Sequence, residues 1–288
     1  MSFLSAVAQA SQAGWRPCSG LRTWQVACGL GPYPTIASAL AAIAADPVPP
    51  SQSNPACVLV HPGLYDMTTV HDIPEWTGLV GVNRDLVQLR NVTTDMFHIT
   101  GPNVSLGNFT ILGAPTESLW AIKDDNYTNL WLYDLTMTTD AGVGKQGLLY
   151  TTGATYIGIR LDRLWLSSRR TGSYAIILEN TSGAARDIDV QFTNFMMLCL
   201  YTTGGGCIQT LDAINTRFRD MELRSSGRCF SIERPTASGT PSANIMFCLG
   251  AGAGTPLYTA ASTSVTIDNS SLPGSSINGA STTRNSTV

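Results

Sequence analysis

The chain has 288 residues, a formal net charge of −3 and only 13% charged residues, alongside 27 glycines. There is no basic stripe, which excludes a nucleic-acid partner of the usual kind, and no apolar run is long enough to span a bilayer. Abundant Gly, Ser, Thr and Asn with many β-branched residues point to an all-β chain with many tight corners.

Residues 1–34 carry Trp15, Pro17, Trp24, Pro32 and Pro34 with no clear period, and read as an irregular arm or attachment segment. Met1–Ala10 has a short apolar stretch with an A-x-A-like end but no basic start, so it does not read as a signal peptide. Thr35 offers an N-cap. Ile36, Leu40 and Ile43 follow at helical spacing, and Pro47 closes the helix after Asp46. Ala56–Tyr65 reads as a strand with a Pro-Gly turn, and short strands follow at Pro74–Gly81 and Leu86–Leu89.

From Val104 the chain repeats itself. Val104–Ile111, Leu130–Met137, Ile159–Leu166, Val190–Met197 and Thr216–Leu223 share one pattern. Three positions alternate with the period of a strand, the phase slips at one polar residue, and alternation resumes. A strand, a one-residue corner and a second short strand produce this. The corner column is Asn108, Asp134, Arg163, Asn194 and Asp220, with steps of roughly 26 to 31 residues, in the range of solenoid repeats. Arg163 interrupts a run of Asn and Asp, whose side chains hydrogen-bond backbone in tight bends. Ile245–Leu249 is a degraded copy and Val265–Leu272 a later one.

A further strand is expected before each copy, at Met96–Ile99, Leu119–Ile122, Gly147–Tyr150, Tyr174–Leu178, Cys207–Thr210 and Cys229–Ile232. Longer loops, such as 138–146 and 233–243, come after the copies. Residues 251–261 and 270–288 are too polar to build core, so a partner chain is the expected cause of order in the tail.

The segments from the short helix through V-x-P-G-x-Y (Val60–Tyr65), Gly78-Leu-Val-Gly81 and the repeated coils resemble the opening of the pectin-lyase-like family of right-handed parallel β-helices, and within it viral spike, fibre and decoration proteins. The resemblance covers roughly residues 35–272 and implies a helix capping the first coil and short parallel sheets joined by corners, which leaves 1–34 as an arm and 273–288 as a Ser/Thr-rich tail. It concerns fold, and the fold hosts enzymes, adhesins and virion proteins alike.

Aligned, the copies put Leu106, Leu132, Leu161, Phe192 and Phe218 in one inward column. Phe109, Leu135, Leu164, Phe195 and Met221 make a second, and Ile111, Met137, Leu166, Met197 and Leu223 a third. The same register turns Trp131, Tyr133, Arg160, Trp165, Met196, Arg217 and Arg219 outward, as a subunit-contact face or a sugar-binding face. Such a face suits a homotrimer.

Enzyme chemistry finds little support. Paired carboxylates for glycoside hydrolysis must lie within a coil or two of each other. Asp162 has Tyr133 and Thr193 beside it in its column, and Glu222 lies two coils away in another. Should the chain be an enzyme, Asp162, Glu222, Arg217 and Arg219 are its groove residues. Asp124-Asp125 reads as a solvated corner. The resemblance implies acid clusters for Ca²⁺ lyases, paired Asp with Arg and Gln for pectinesterases, and Asp-Asp with Gly-His-Gly for polygalacturonases; none is matched. His61, His71 and His98 have no Ser or Cys partner at a telling spacing. No metal or other cofactor is expected.

The seven cysteines are odd in number and include no C-x-x-C pair. They read as small buried residues in a reduced state, with Cys207 and Cys229 close enough on successive coils to bond. The expectation is a non-enzymatic virion protein, assembled in the host cytoplasm, joined to other virion proteins through 1–34 or the tail, with host-surface glycans as a candidate contact. The alternative is a polysaccharide-cleaving β-helix enzyme, on the virion or secreted.

Overall fold

The computed structural model describes residues 22–28, 31–91, 95–113, 120–124, 129–138, 147–153, 158–168, 174–180, 186–187, 190–199, 206–211, 213–214, 216–225, 227–233, 242–246, 248–252, 256–260, 263–278, 280–284, 286 and 288. For 186–187 and 190–199 it describes the backbone course. Residues 1–21 and Asp125 therefore lie outside the described residues, as do most residues of the predicted loops at 138–146 and 233–243.

Each central coil carries a shorter and a longer strand, and Arg186–Asp187 and Ala213–Ile214 pair between them as a small third sheet. Trp120–Asp124 leads to Leu130–Thr138, then Gly147–Gly153 to Ile159–Ser168, then Tyr174–Asn180 to Val190–Cys199, then Gly206–Leu211 to Thr216–Ser225. The second member of every pair joins a long sheet and the first member joins a shorter one. All pairings between these strands are parallel. This is a parallel β-helix, the fold class expected from the repeats.

The long strands bend where expected. Asn108, Asp134, Arg163 and Asp220 have φ of 62, 48, 52 and 53°, the left-handed region that Asn and Asp tolerate best. The ladder pairs Tyr133 with Gly107 and Leu135 with Phe109, passing over the corner pair between them. Asn269, in the last copy, repeats the corner at 46°. Asn108 donates from Nδ2 to the Gly81 carbonyl at 2.6 Å. A second left-handed column, Trp76, Asn103 and Asn129, opens successive strands, and Asn129 Nδ2 donates to Asn103 Oδ1 at 2.9 Å.

The inward columns stack as predicted. Leu106 pairs with Leu132, Leu132 with Leu161, and Phe192 with Phe218, and the line continues to Ile245 and Ile267. Leu106, Leu132, Leu161, Phe109, Leu135, Ile111 and Met137 are all fully buried. At about 25 cal/mol per Å² such a rod offsets the ordering entropy because coils share their walls.

Both ends depart from expectation. The arm assigned to 1–34 contains the strand Arg22–Val26, which pairs with Ala56–Val60 as a first rung. Helix α1 (Ile36–Ala44) comes next, capped by the Thr35–Ser38 box, and buries Ile36, Ala39, Leu40 and Ile43 against that rung. At the other end, Ser276–Ile277 extends the short sheet and Ala280–Arg284 the long one. Pairing with the preceding coil orders these polar tail segments, since backbone hydrogen bonds do not need apolar side chains.

The cysteine expectation is corrected too. Cys57 is disulfide-bonded. Cys207, Cys229 and Cys248 are buried thiols, so the stacked Cys207 and Cys229 are not joined. Disulfides persist in oxidising surroundings, and residue spacing alone carried no signal for this one.

Candidate functional site

The predicted outward face lies on the long sheet, on both sides of the corner column. Trp131 stacks beside Tyr133 at 4.6 Å between ring centroids, and the Arg160 guanidinium lies 5.4 Å from the Trp131 ring. Trp165 is 55% exposed. Tyr133 and Asp162, expected to face solvent, are instead 5% and 4% exposed. Position before the bend is the reason. Tyr133 covers Gly107 of the preceding coil, where a Cβ would come within 2.5 Å of the ring. Burial, with Asp134 close by, pushes the Tyr133 phenol well above its ordinary range. The Met196 and Asn194 side chains lie outside the described residues; their backbones keep the register.

The acids on this face are held by arginines. Arg163 takes the Asp134 carboxylate through Nε and Nη2 at 2.7 and 2.8 Å, and its Nη1 donates to buried Asp162. The residue that interrupts the Asn/Asp column therefore ties two coils together, and the guanidinium pKa rises because these carboxylates surround it. Glu222 pairs with Arg224 at 2.8 Å and Arg219 with Asp220 at 3.2 Å. Asp162 and Arg219 share a column through Thr193, while Glu222 lies past the bend. The four proposed groove residues are not brought together around one point.

A second face, on the short sheet, was missed. Trp120 stacks on Tyr150 at 5.4 Å, in space left by Gly147, where a Cβ would meet the Trp120 ring at 2.2 Å. Tyr174 sits the same way beside Gly206, whose Cβ would meet its ring at 2.6 Å. Outside these buried rings lies a half-exposed polar surface. Tyr150 donates to Glu179 Oε2 at 2.8 Å. Glu233 Oε1 accepts from Gln209 Nε2 at 3.0 Å, from Arg228 Nη1 at 3.2 Å and from Ser231. Arg228 also lies 3.6 Å over the Tyr258 ring. Toward the N-terminus, Lys123 pairs with Asp95 at 2.6 Å and His98 Nδ1 with Asp72 at 3.1 Å. The signal was available: the opening column reads Trp120, Gly147, Tyr174, Gly206, Arg228, alternating large and absent side chains.

Asp124 is also corrected. It is fully buried beneath this face and accepts from Thr151 Oγ1 at 3.1 Å. The strand runs two residues past the expected end at Ile122, which turns Asp124 inward.

Among the described residues, no group of three or more His, Cys, Asp or Glu is placed to hold a metal ion, and no helix is long and apolar enough to cross a membrane.

No protein-family model matches the chain, and no curated protein matches it. Solved structures do. A protein from Geobacillus virus E2, ORF18, is 12% identical, with a TM-score of 0.45 over 98% of this chain and 63% of that one; the chain thus spans less than two thirds of that protein. A pectin methylesterase solved in complex with a hexasaccharide is 13% identical, with a TM-score of 0.47 over 92% of this chain and 82% of that one. The Dettilon tailspike protein is 10% identical, with a TM-score of 0.39 over 91% of this chain and 68% of that one.

Proposed function

We propose that the protein is a non-enzymatic β-helix subunit on the outside of a virus particle, a spike, fibre or head-decoration protein, which holds a saccharide on the short-sheet face. The observation that carries the saccharide contact is the surface formed by Tyr150, Glu179, Gln209 and Glu233, with Trp120 propping Tyr150 from beneath. A ring beside hydrogen-bonding carboxylates and an amide matches a sugar, which offers an apolar face and a rim of hydroxyls.

Binding fits the geometry better than cleavage does. Glu179 and Glu233 are both engaged by protein donors, and the acids of the long-sheet face are tied to arginines. Coil-to-coil stacking, cross-coil ion pairs and a disulfide suit a rigid exposed column. Trp165 and Arg160 on the long-sheet face suit contact with a second copy, in keeping with a trimer.

The test is to incubate the protein with a panel of capsular and plant polysaccharides. We expect retention of at least one polymer with no new reducing ends and no unsaturated products, and an oligomer in sedimentation. Sustained turnover lost in Glu179→Gln, Glu233→Gln or Glu222→Gln would replace this reading with the depolymerase one.

A further inference from the structure

The charges on the short-sheet face narrow the proposed saccharide to a class of sugar, an inference that rests on the saccharide reading above. Along the outward side of the short sheet stand the carboxylates of Asp72, Asp95, Glu179 and Glu233. The cations set against them are Lys123 and Arg228, while His98 adds charge only when protonated.

Both cations are already committed. Lys123 Nζ lies 2.6 Å from Asp95. Arg228 Nη1 lies 3.2 Å from Glu233 and 3.4 Å from the Tyr174 hydroxyl, and its guanidinium is packed 3.6 Å over Tyr258. Glu179 is different. It accepts from the neutral Tyr150 hydroxyl at 2.8 Å, which leaves its charge in place. The described part of the face is thus net negative, and its cations are turned toward its own carboxylates.

A polymer of uronate, sialate or sulfated sugar needs the reverse. Each anionic group would have to displace Glu233 from Arg228 or Asp95 from Lys123, and would meet the charge of Glu179. A neutral sugar has no such conflict. A carboxylate offers about four lone-pair positions, so sugar hydroxyls can donate to Glu179 beside Tyr150. Gln209 carries a second amide N–H beyond the one given to Glu233.

We propose that this face selects uncharged polysaccharide and rejects anionic polymers, with Glu179 as the residue that sets the preference. The experiment is affinity electrophoresis of the full chain through gels holding neutral polymers (glucan, mannan, galactan) or anionic ones (polygalacturonate, alginate, hyaluronate). Each is run at low salt and near 0.15 M, where surface charges are screened beyond about 8 Å. The expected result is retardation by at least one neutral polymer, unchanged by salt and weakened at least about tenfold in Glu179→Gln and in Tyr150→Ala. Glu179→Arg should gain salt-sensitive retardation by an anionic polymer. Thermal melts of each variant separate lost binding from lost folding.

Retardation of the unaltered protein by an anionic polymer, relieved by salt and by Tyr150→Ala, would overturn the charge preference while leaving the face as a saccharide surface. Retardation by no polymer, or retardation indifferent to Tyr150→Ala and Glu179→Gln in folded variants, would overturn the saccharide reading itself, and the preference with it.

Discussion

Tyr133 occupies the space above Gly107 on the neighbouring coil, so closely that a Cβ there would stand 2.5 Å from its ring and 2.6 Å from its backbone oxygen. The same arrangement joins Trp120 to Gly147 on the other sheet. At these two places a bulky ring takes the space of a side chain that the adjoining rung lacks. Gly107→Ala should therefore destabilise the fold by about 1–3 kcal/mol through overpacking, lowering the unfolding midpoint by several degrees. Gly147→Ala should do likewise and be partly rescued by Trp120→Leu. Differential scanning calorimetry of the single and double variants checks this; additive losses at Gly147 and Trp120 would contradict it.

Arg163 joins Asp134 and buried Asp162 across one coil boundary, whereas Arg224 and Glu222 form an exposed pair on one strand. Arg163→Leu keeps the bulk of a non-Gly residue at the left-handed corner while stripping a buried carboxylate of its guanidinium. It should cost about 2–4 kcal/mol, and Arg224→Leu less than about 1 kcal/mol. Equal losses in chemical denaturation would show that the cross-coil pair has no special role.

Burial holds the His71 imidazole below its ordinary pKa of 6.5, and nearby Asp72 offsets only part of that. The unfolded chain therefore binds a proton at a higher pH than the folded one. Stability from this group is fully present above pH 6.5 and is lost as pH falls from there through the lower folded value. The unfolding midpoint should decline across that window, and His71→Gln should flatten the decline. An unchanged slope in the variant would contradict the assignment.

Thr151 Oγ1 donates to Asp124 in the core at 3.1 Å. Thr151→Val preserves shape and removes the donor, so it should cost about 1–3 kcal/mol. Urea unfolding reads this directly, and a neutral change would show that the buried carboxylate does not depend on Thr151.

The long-sheet half of each coil was legible in the sequence because every copy repeats one pattern of apolar residues around one polar corner. Leu106, Leu132 and Leu161 then had to align, and burial of alternate residues did the rest. Tyr133 and Asp162 were misread because alternation assigns a side to a residue and says nothing of what an adjoining coil lays over it. The short-sheet face was missed because its strands are brief and its column alternates Trp120, Gly147, Tyr174 and Gly206, a pattern visible only after the coils are aligned. The Trp76–Asn103–Asn129 column escaped for a related reason: Asn holds only two of its positions, and Trp76 holds the first. The disulfide at Cys57 depends on long-range placement that no spacing encodes.

Equal rungs underlie the fold and both of its faces, and spin-label distances test them most directly. Ser105 and Arg217 lie four rungs apart in one outward column, and Ser105 and Thr266 lie six rungs apart. With about 4.8 Å per rung, backbone separations of about 19 Å and about 29 Å are predicted. Pulsed dipolar spectroscopy on cysteine-labelled pairs should give distances that grow in proportion to rung number. Distances unrelated to rung number would contradict the stacked-coil structure, and the two faces built on it.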